Sequence, residues 1–132
     1  MVIGAKFQLQ LEQLSKAILT LFEALEMEPT QINKDGTIQR FEYTFELCWK
    51  MMQSASKSSG ILDVNSPRES IRVAAQSGLI ENVEMWFDFL DARNQASHVY
   101  SETEANSVYE VAKKFLPEAE KLVQKLKESN LL

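Results

Sequence analysis

Apolar residues recur at helical spacing almost from the start of the chain. Phe7, Leu11, Leu14, Ile18, Leu21 and Leu25 follow one another at steps of four, three, four, three and four. That is a coiled-coil-like seam, and it predicts a helix from about Ala5 to Glu28. Pro29 and Thr30 end it, because proline has no amide donor and disfavours helix in the residue before it. Gln31 to Gly36 reads as a loop. A second helix is predicted from near Asp35 to about Lys57, with Ile38, Phe41, Phe45, Cys48 or Trp49, and Met52 as its inner stripe. On its other side Glu42, Glu46 and Lys50 are spaced by four. Glu46 with Lys50 is the favourable order for an ion pair, whereas Glu42 with Glu46 repels.

The only abrupt change of composition is Ser56 to Asn65, SKSSGILDVN, which reads as a flexible connector. Ser66-Pro67-Arg68-Glu69 then starts a short third helix, with serine as N-cap, proline at the first position and glutamate completing a capping box. Gly78 stops it after Ile71, Ala74 and Ala75. Leu79 to Asn82 lead into the helix that carries the stretch Met85 to Tyr100, MWFDFLDARNQASHVY, and that meets the last helix at or near His98 to Ser101. Its apolar half (Met85, Trp86, Phe87, Phe89, Leu90) runs straight into a polar half (Arg93, Asn94, Gln95, Ser97, His98, Tyr100). Trp86, Phe87, Leu90, Arg93 and Asn94 share one side at helical spacing, so a core stripe ends in a cation and an amide. Polar groups in line with a core stripe cost energy unless they find partners, which marks a site. Ser101-Glu102-Thr103-Glu104 is another capping box, and a last helix follows to about Ser129. Its inner residues are Val108, Val111 or Ala112, Phe115, Ala119, Leu122 and Leu126, and Pro117 should kink it. No segment alternates as a strand does, and Asp35-Gly36 lies at the start of a helix rather than in a hairpin. The expected fold is all-α, an antiparallel four-helix bundle with one short inserted helix.

Length and composition bound this picture. The 132 residues, positions 1–132, suit a single domain with a proper core, and 45% hydrophobic with 25% charged residues is ordinary for a globular protein. There is no run of 18 apolar residues and no basic-then-apolar start, so a cytoplasmic protein with no membrane role is expected. Cys48 is the sole cysteine and sits in an apolar helical pattern, as a buried, inert thiol would. A net charge of -5 argues against broad, non-specific nucleic-acid binding but leaves room for a small, locally basic RNA site.

Several chemistries close at once. One histidine and one cysteine make no nitrogen or sulfur metal cluster, and the four glycines build no phosphate-cradling loop. No serine lies in a nucleophile elbow, and no cofactor is implied. What remains is Arg93, Asn94, His98 and Tyr100. An arginine fork suits a phosphate, and an imidazole near neutral pKa can take a proton from a hydroxyl or return one. Together they suit RNA cleavage, with the ribose 2′-hydroxyl attacking the adjacent phosphate and no metal required. One histidine is thin for both the acid and the base role, so such chemistry favours a homodimer whose twofold axis brings two sets together. The plain structural reading stands beside this. A lone histidine next to an arginine at a helix end is commonly a cap, Trp49 and Trp86 are commonly core, and Asn94 can simply orient the ring. Likewise Glu42 and Glu46 read either as a solvated face or as partners for a cation from another helix, with Arg93 the candidate.

RNQASHVY (Arg93 to Tyr100) resembles the R-x4-H-x-Y motif of the HEPN superfamily of all-α domains. FEYTFELCWK (Phe41 to Lys50), SPRESIRVA (Ser66 to Ala74), GLI (Gly78 to Ile80) and DARNQASHVY (Asp91 to Tyr100) resemble the nucleotidyltransferase substrate-binding proteins. The resemblance covers nearly the whole chain, from Phe7 to about Phe115. It implies an antiparallel HEPN-like bundle, a homodimer as the usual assembly, and a minimal nucleotidyltransferase as partner. It also implies two functions. In the first, the chain is the substrate-binding subunit of a two-component nucleotidyltransferase, meeting a nucleotide, RNA or its partner through Asn94, Ser97, Tyr100, Glu42 and Glu46. In the second it is a metal-independent ribonuclease toxin in which Arg93 and His98 cut RNA. The nucleotidyltransferase then acts as antitoxin, silencing the toxin by attaching adenylate to Tyr100. All three motif positions are intact. The first reading leads.

Overall fold

In the computed structural model, which describes residues 4–129, the helical periods fold as five helices. These are α1 (Ala5–Glu26), α2 (Gln31–Ser58), α3 (Pro67–Gln76), α4 (Val83–Ala96) and α5 (Glu102–Glu128), and no strand occurs among the described residues. Helix α2 is the hub, packing against each of the other four, while α1 and α5 also meet each other. The seam of α1 is buried at Phe7, Leu11, Leu14, Ile18 and Leu21, with Leu25 half-buried at its end.

The centre of the core is aromatic. Phe115 of α5 has the rings of Phe41, Phe89, Trp86 and Phe45 around it, with centroids 5.1, 5.3, 5.8 and 6.1 Å away. The first three meet it nearly edge-on, the arrangement that the ring quadrupoles favour. This cluster ties α2, α4 and α5 together beneath the end of α4 that carries the polar half of its sequence. Cys48 is fully buried beside it, and burial pushes the thiol well above its ordinary pKa.

The helix ends follow their capping chemistry. Ser66 Oγ accepts from the amide of Glu69, and Ser101 Oγ from that of Glu104. Gly78 has a φ of 85°, which closes α3 with the Leu79 amide bonded to Ala74 O; Gly60, at 91°, closes α2 with Ile61 bonded to Ser56 O. One boundary differs from expectation. Gln31 to Gly36 is the first turn and a half of α2, not a loop. Thr30 is its N-cap, accepting from the Asn33 amide, and Asn33 in turn donates to Glu28 O. A polar, glycine-bearing stretch is helical here because its free amides are capped and its far end packs on α5 through Lys34 and Asn106. Correspondingly α1 stops at Glu26, two residues early. Helix α5 continues as one element through Pro117, which lies on its exposed side.

Candidate functional site

Helix α4 changes character along its length, as its sequence does. Trp86, Phe89 and Leu90 are buried, and Arg93, one turn beyond Leu90, continues the same inward stripe with a cation. A guanidinium on a core stripe needs compensation, and α2 provides it. Arg93 Nη2 lies 3.1 Å from Glu46 Oε2, and the guanidinium carbon sits 5.7 Å from the centre of the Phe45 ring. The same carboxylate oxygen accepts from the indole Nε1 of Trp49 at 2.9 Å, and the other lies 3.9 Å from Lys50 Nζ. Glu46 therefore serves three donors. Arg93 Nε is buried and has no acceptor among the described residues.

One turn earlier on α2, burial raises the pKa of Glu42, while the Arg93 charge works against that rise. Gln39, Glu42, Tyr43, Glu46, Arg93 and Ser97 line an open cleft of about 560 Å³ between α2 and the end of α4. Tyr43 is braced on the far side by a 2.7 Å hydrogen bond between its hydroxyl and that of Thr20 on α1. Among the described residues no three His, Cys, Asp or Glu side chains gather as a metal-ligand set. The cation on offer in this cleft is Arg93.

His98 lies just past the C-terminus of α4, its amide bonded to Gln95 O at 2.8 Å. Its ring is exposed and makes no hydrogen bond among the described residues, and its centroid is 6.5 Å from that of Tyr100. Tyr100 is 84% exposed, its hydroxyl makes no hydrogen bond among the described residues, and its amide donates to Glu104 Oε1 at 3.2 Å. The capping box of α5 thus fixes the backbone on which the histidine–tyrosine pair is mounted.

The structure brings together Arg93, Glu42, Glu46 and Ser97 in the cleft, with His98 and Tyr100 on the adjoining turn. Asn94 is different. It is exposed, is not part of the cleft wall, and makes no hydrogen bond to His98, so it does not orient the ring. Sequence reasoning missed Gln39, Tyr43 and Trp49. Gln39 and Tyr43 stand at steps of three or four from Glu42 and Glu46, so extending the side of α2 that carries the acids would have found them. Trp49 is half-buried, and its N–H has a task that a core-only reading does not assign.

Against known proteins, residues 9–128 match the family model described as nucleotidyltransferase substrate binding protein like. A probable ribonuclease HepT of Haemophilus influenzae is 32% identical over 99 residues, spanning 72% of this chain and 68% of that protein. A Haemophilus influenzae structure described as the fold of a substrate binding domain of a nucleotidyltransferase superposes with a TM-score of 0.77 at 27% identity, covering 89% of this chain and 98% of that one. A tri-AMPylated HEPN toxin of Shewanella oneidensis, in complex with its MNT antitoxin, superposes with a TM-score of 0.78, covering 96% and 99%. At 17% identity that last likeness concerns the fold, which is HEPN-like.

Proposed function

This chain belongs to the nucleotidyltransferase substrate-binding-like family, and on that premise we propose that it is the substrate-binding-type subunit of a two-component pair with a minimal nucleotidyltransferase. The observation that carries the reading is the cleft between α2 and α4. It offers a guanidinium steadied by the Glu46 carboxylate on the cleft wall and by the Phe45 ring, with a buried Nε that makes no hydrogen bond among the described residues. A phosphate entering the cleft would meet a guanidinium already fixed in place, through the N–H donors that Glu46 leaves free, which is what a nucleotide-handling subunit needs. This single helical domain works in the cytoplasm beside its partner. Co-expression with a minimal nucleotidyltransferase from the same genome should give a complex that survives size exclusion at low salt. Separate migration of the two proteins would remove the basis for this reading.

A second reading is favoured by a specific observation, the exposed ring of His98 beside the exposed phenol of Tyr100, five and seven residues after Arg93. In this reading the chain is a ribonuclease. Arg93 holds the scissile phosphate, His98 takes the proton of the ribose 2′-hydroxyl, and the 2′-oxygen attacks phosphorus as the 5′-oxygen leaves. One imidazole cannot serve as base and acid at once, so the site is completed by a second copy across a twofold axis. Adenylate attached by the partner to the Tyr100 phenol would place a nucleotide beside the histidine and block it. The name of the Haemophilus influenzae relative supports this alternative.

A further inference from the structure

The chain has four arginines, and two already have partners. Arg40 donates to Gly36 O of its own helix, and Arg93 pairs with Glu46. Arg68 and Arg72, one turn apart on α3, are exposed, and neither makes a hydrogen bond or an ion pair among the described residues. Both lie against the half-buried ring of Phe87 on α4 instead, their guanidinium carbons 4.6 and 6.0 Å from its centre. Attraction to the ring face restrains the two forks without using their N–H donors, of which each guanidinium has five.

Their position relative to the cleft follows from helical spacing. Phe87 shares a side of α4 with Asn94, seven residues on and about 10 Å along the axis. That side continues toward the turn that holds His98. Asp91 is exposed on the same side between them, and Glu84 and Asp88 are exposed nearby. These acids rule out a broad cationic face, so an anionic chain would be gripped only at the two forks.

We propose that Arg68 and Arg72, held on Phe87, form an anchoring site for the phosphodiester backbone of single-stranded RNA beside the candidate site. Paired guanidinium forks one turn apart suit successive phosphates, and the guanidinium planes themselves can stack against unstacked bases. The two arginines lie on α3 and the ring that holds them on α4, the helix of Arg93, and none of the three lines the cleft. Binding here requires neither RNA cleavage nor the nucleotidyltransferase.

The test is fluorescence anisotropy of a labelled oligouridylate of about twelve nucleotides, titrated with the full chain between about 50 and 200 mM salt. Each phosphate contact on a single strand contributes about 0.7 to the slope of log affinity against log salt. The double variant Arg68→Gln/Arg72→Gln should therefore bind more weakly, with a slope shallower by about 1.4. Arg68→Lys/Arg72→Lys keeps the charges and should recover most of that slope while remaining weaker than the parent. Both sites are exposed, and circular dichroism checks that the variants fold. Absence of oligonucleotide binding by the parent chain, or an unchanged slope in the glutamine variant, overturns the proposal. So does a glutamine variant that loses the nucleotidyltransferase while RNA binding is unaltered, since the patch would then dock a protein. Failure of the parent chain to pair with the nucleotidyltransferase would sink the proposed function and leave this slope untouched.

Discussion

Replacing His98 with alanine separates structure from chemistry, because the two predict effects of very different size. The imidazole is exposed, its ring makes no hydrogen bond among the described residues, and its ring neighbour is Tyr100 at 6.5 Å. Substitutions at such positions stay within about 0.5 kcal/mol. For a chain of this length that is a change in Tm of about 2 °C. A lost general acid or base, in contrast, slows its reaction by roughly 10² to 10⁴, equivalent to about 3–5 kcal/mol in the barrier. His98→Ala should therefore melt with the parent protein and yet cut RNA at a hundredth of its rate or less. Thermal unfolding by circular dichroism and time courses of RNA cleavage on denaturing gels, run on the same preparations, measure both quantities. A Tm lowered by more than about 8 °C would mean that the imidazole is a structural cap and would refute the reasoning from exposure. Equal cleavage rates would refute the proton-transfer role. A parent protein that cuts nothing would leave the binding subunit as the surviving reading.

Tyr100→Phe removes only the exposed phenol oxygen, so cleavage should persist while the partner, given ATP, no longer adds the mass of adenylate in intact-protein mass spectrometry. Glu42→Gln tests the cleft's electrostatics. A carboxyl whose pKa is raised on folding stabilises the fold while protonated and loses that contribution as pH rises through its folded pKa. The variant should accordingly melt higher than the parent at pH 7, with the difference vanishing below about pH 4, where both states of the parent hold the proton. Phe115→Ala removes the ring that four others surround and should cost about 3–5 kcal/mol by urea denaturation; a loss under 1 kcal/mol would show that the cluster can collapse around the gap.

The bundle was legible because its strongest signals are periodic. The α1 seam, the Phe41–Phe45–Cys48–Met52 stripe and the two capping boxes each rest on spacing alone, and spacing survives folding. The start of α2 was not legible. Gln31 to Gly36 carries little apolar pattern, and its helicity depends on Thr30 as cap and on the Lys34–Asn106 contact, 72 residues apart in sequence. The same division runs through the candidate site. Arg93 was legible as the cation that ends a core stripe, and Glu46, on the other side of α2 from its inner stripe, was one of two acids named as its candidate partner. The role of Trp49 depends on a rotamer that points its N–H at Glu46, and no periodicity encodes a rotamer. His98 also eludes spacing, since it sits beyond the last turn of α4, where helical geometry no longer dictates which way a side chain faces.

The burial of Cys48 has a practical use. A thiol with no solvent contact, held protonated by its surroundings and placed on the helix that touches all the others, cannot react with a maleimide or disulfide reagent while the bundle is closed. Any labelling must pass through an opening in which α2 parts from its neighbours. With no second cysteine in the sequence, the rate of modification becomes a clock for that opening, readable in the native protein without an engineered probe. Clamping the bundle from outside, whether by RNA, by a second copy or by the nucleotidyltransferase, should slow the clock in proportion to how much α2 is restrained.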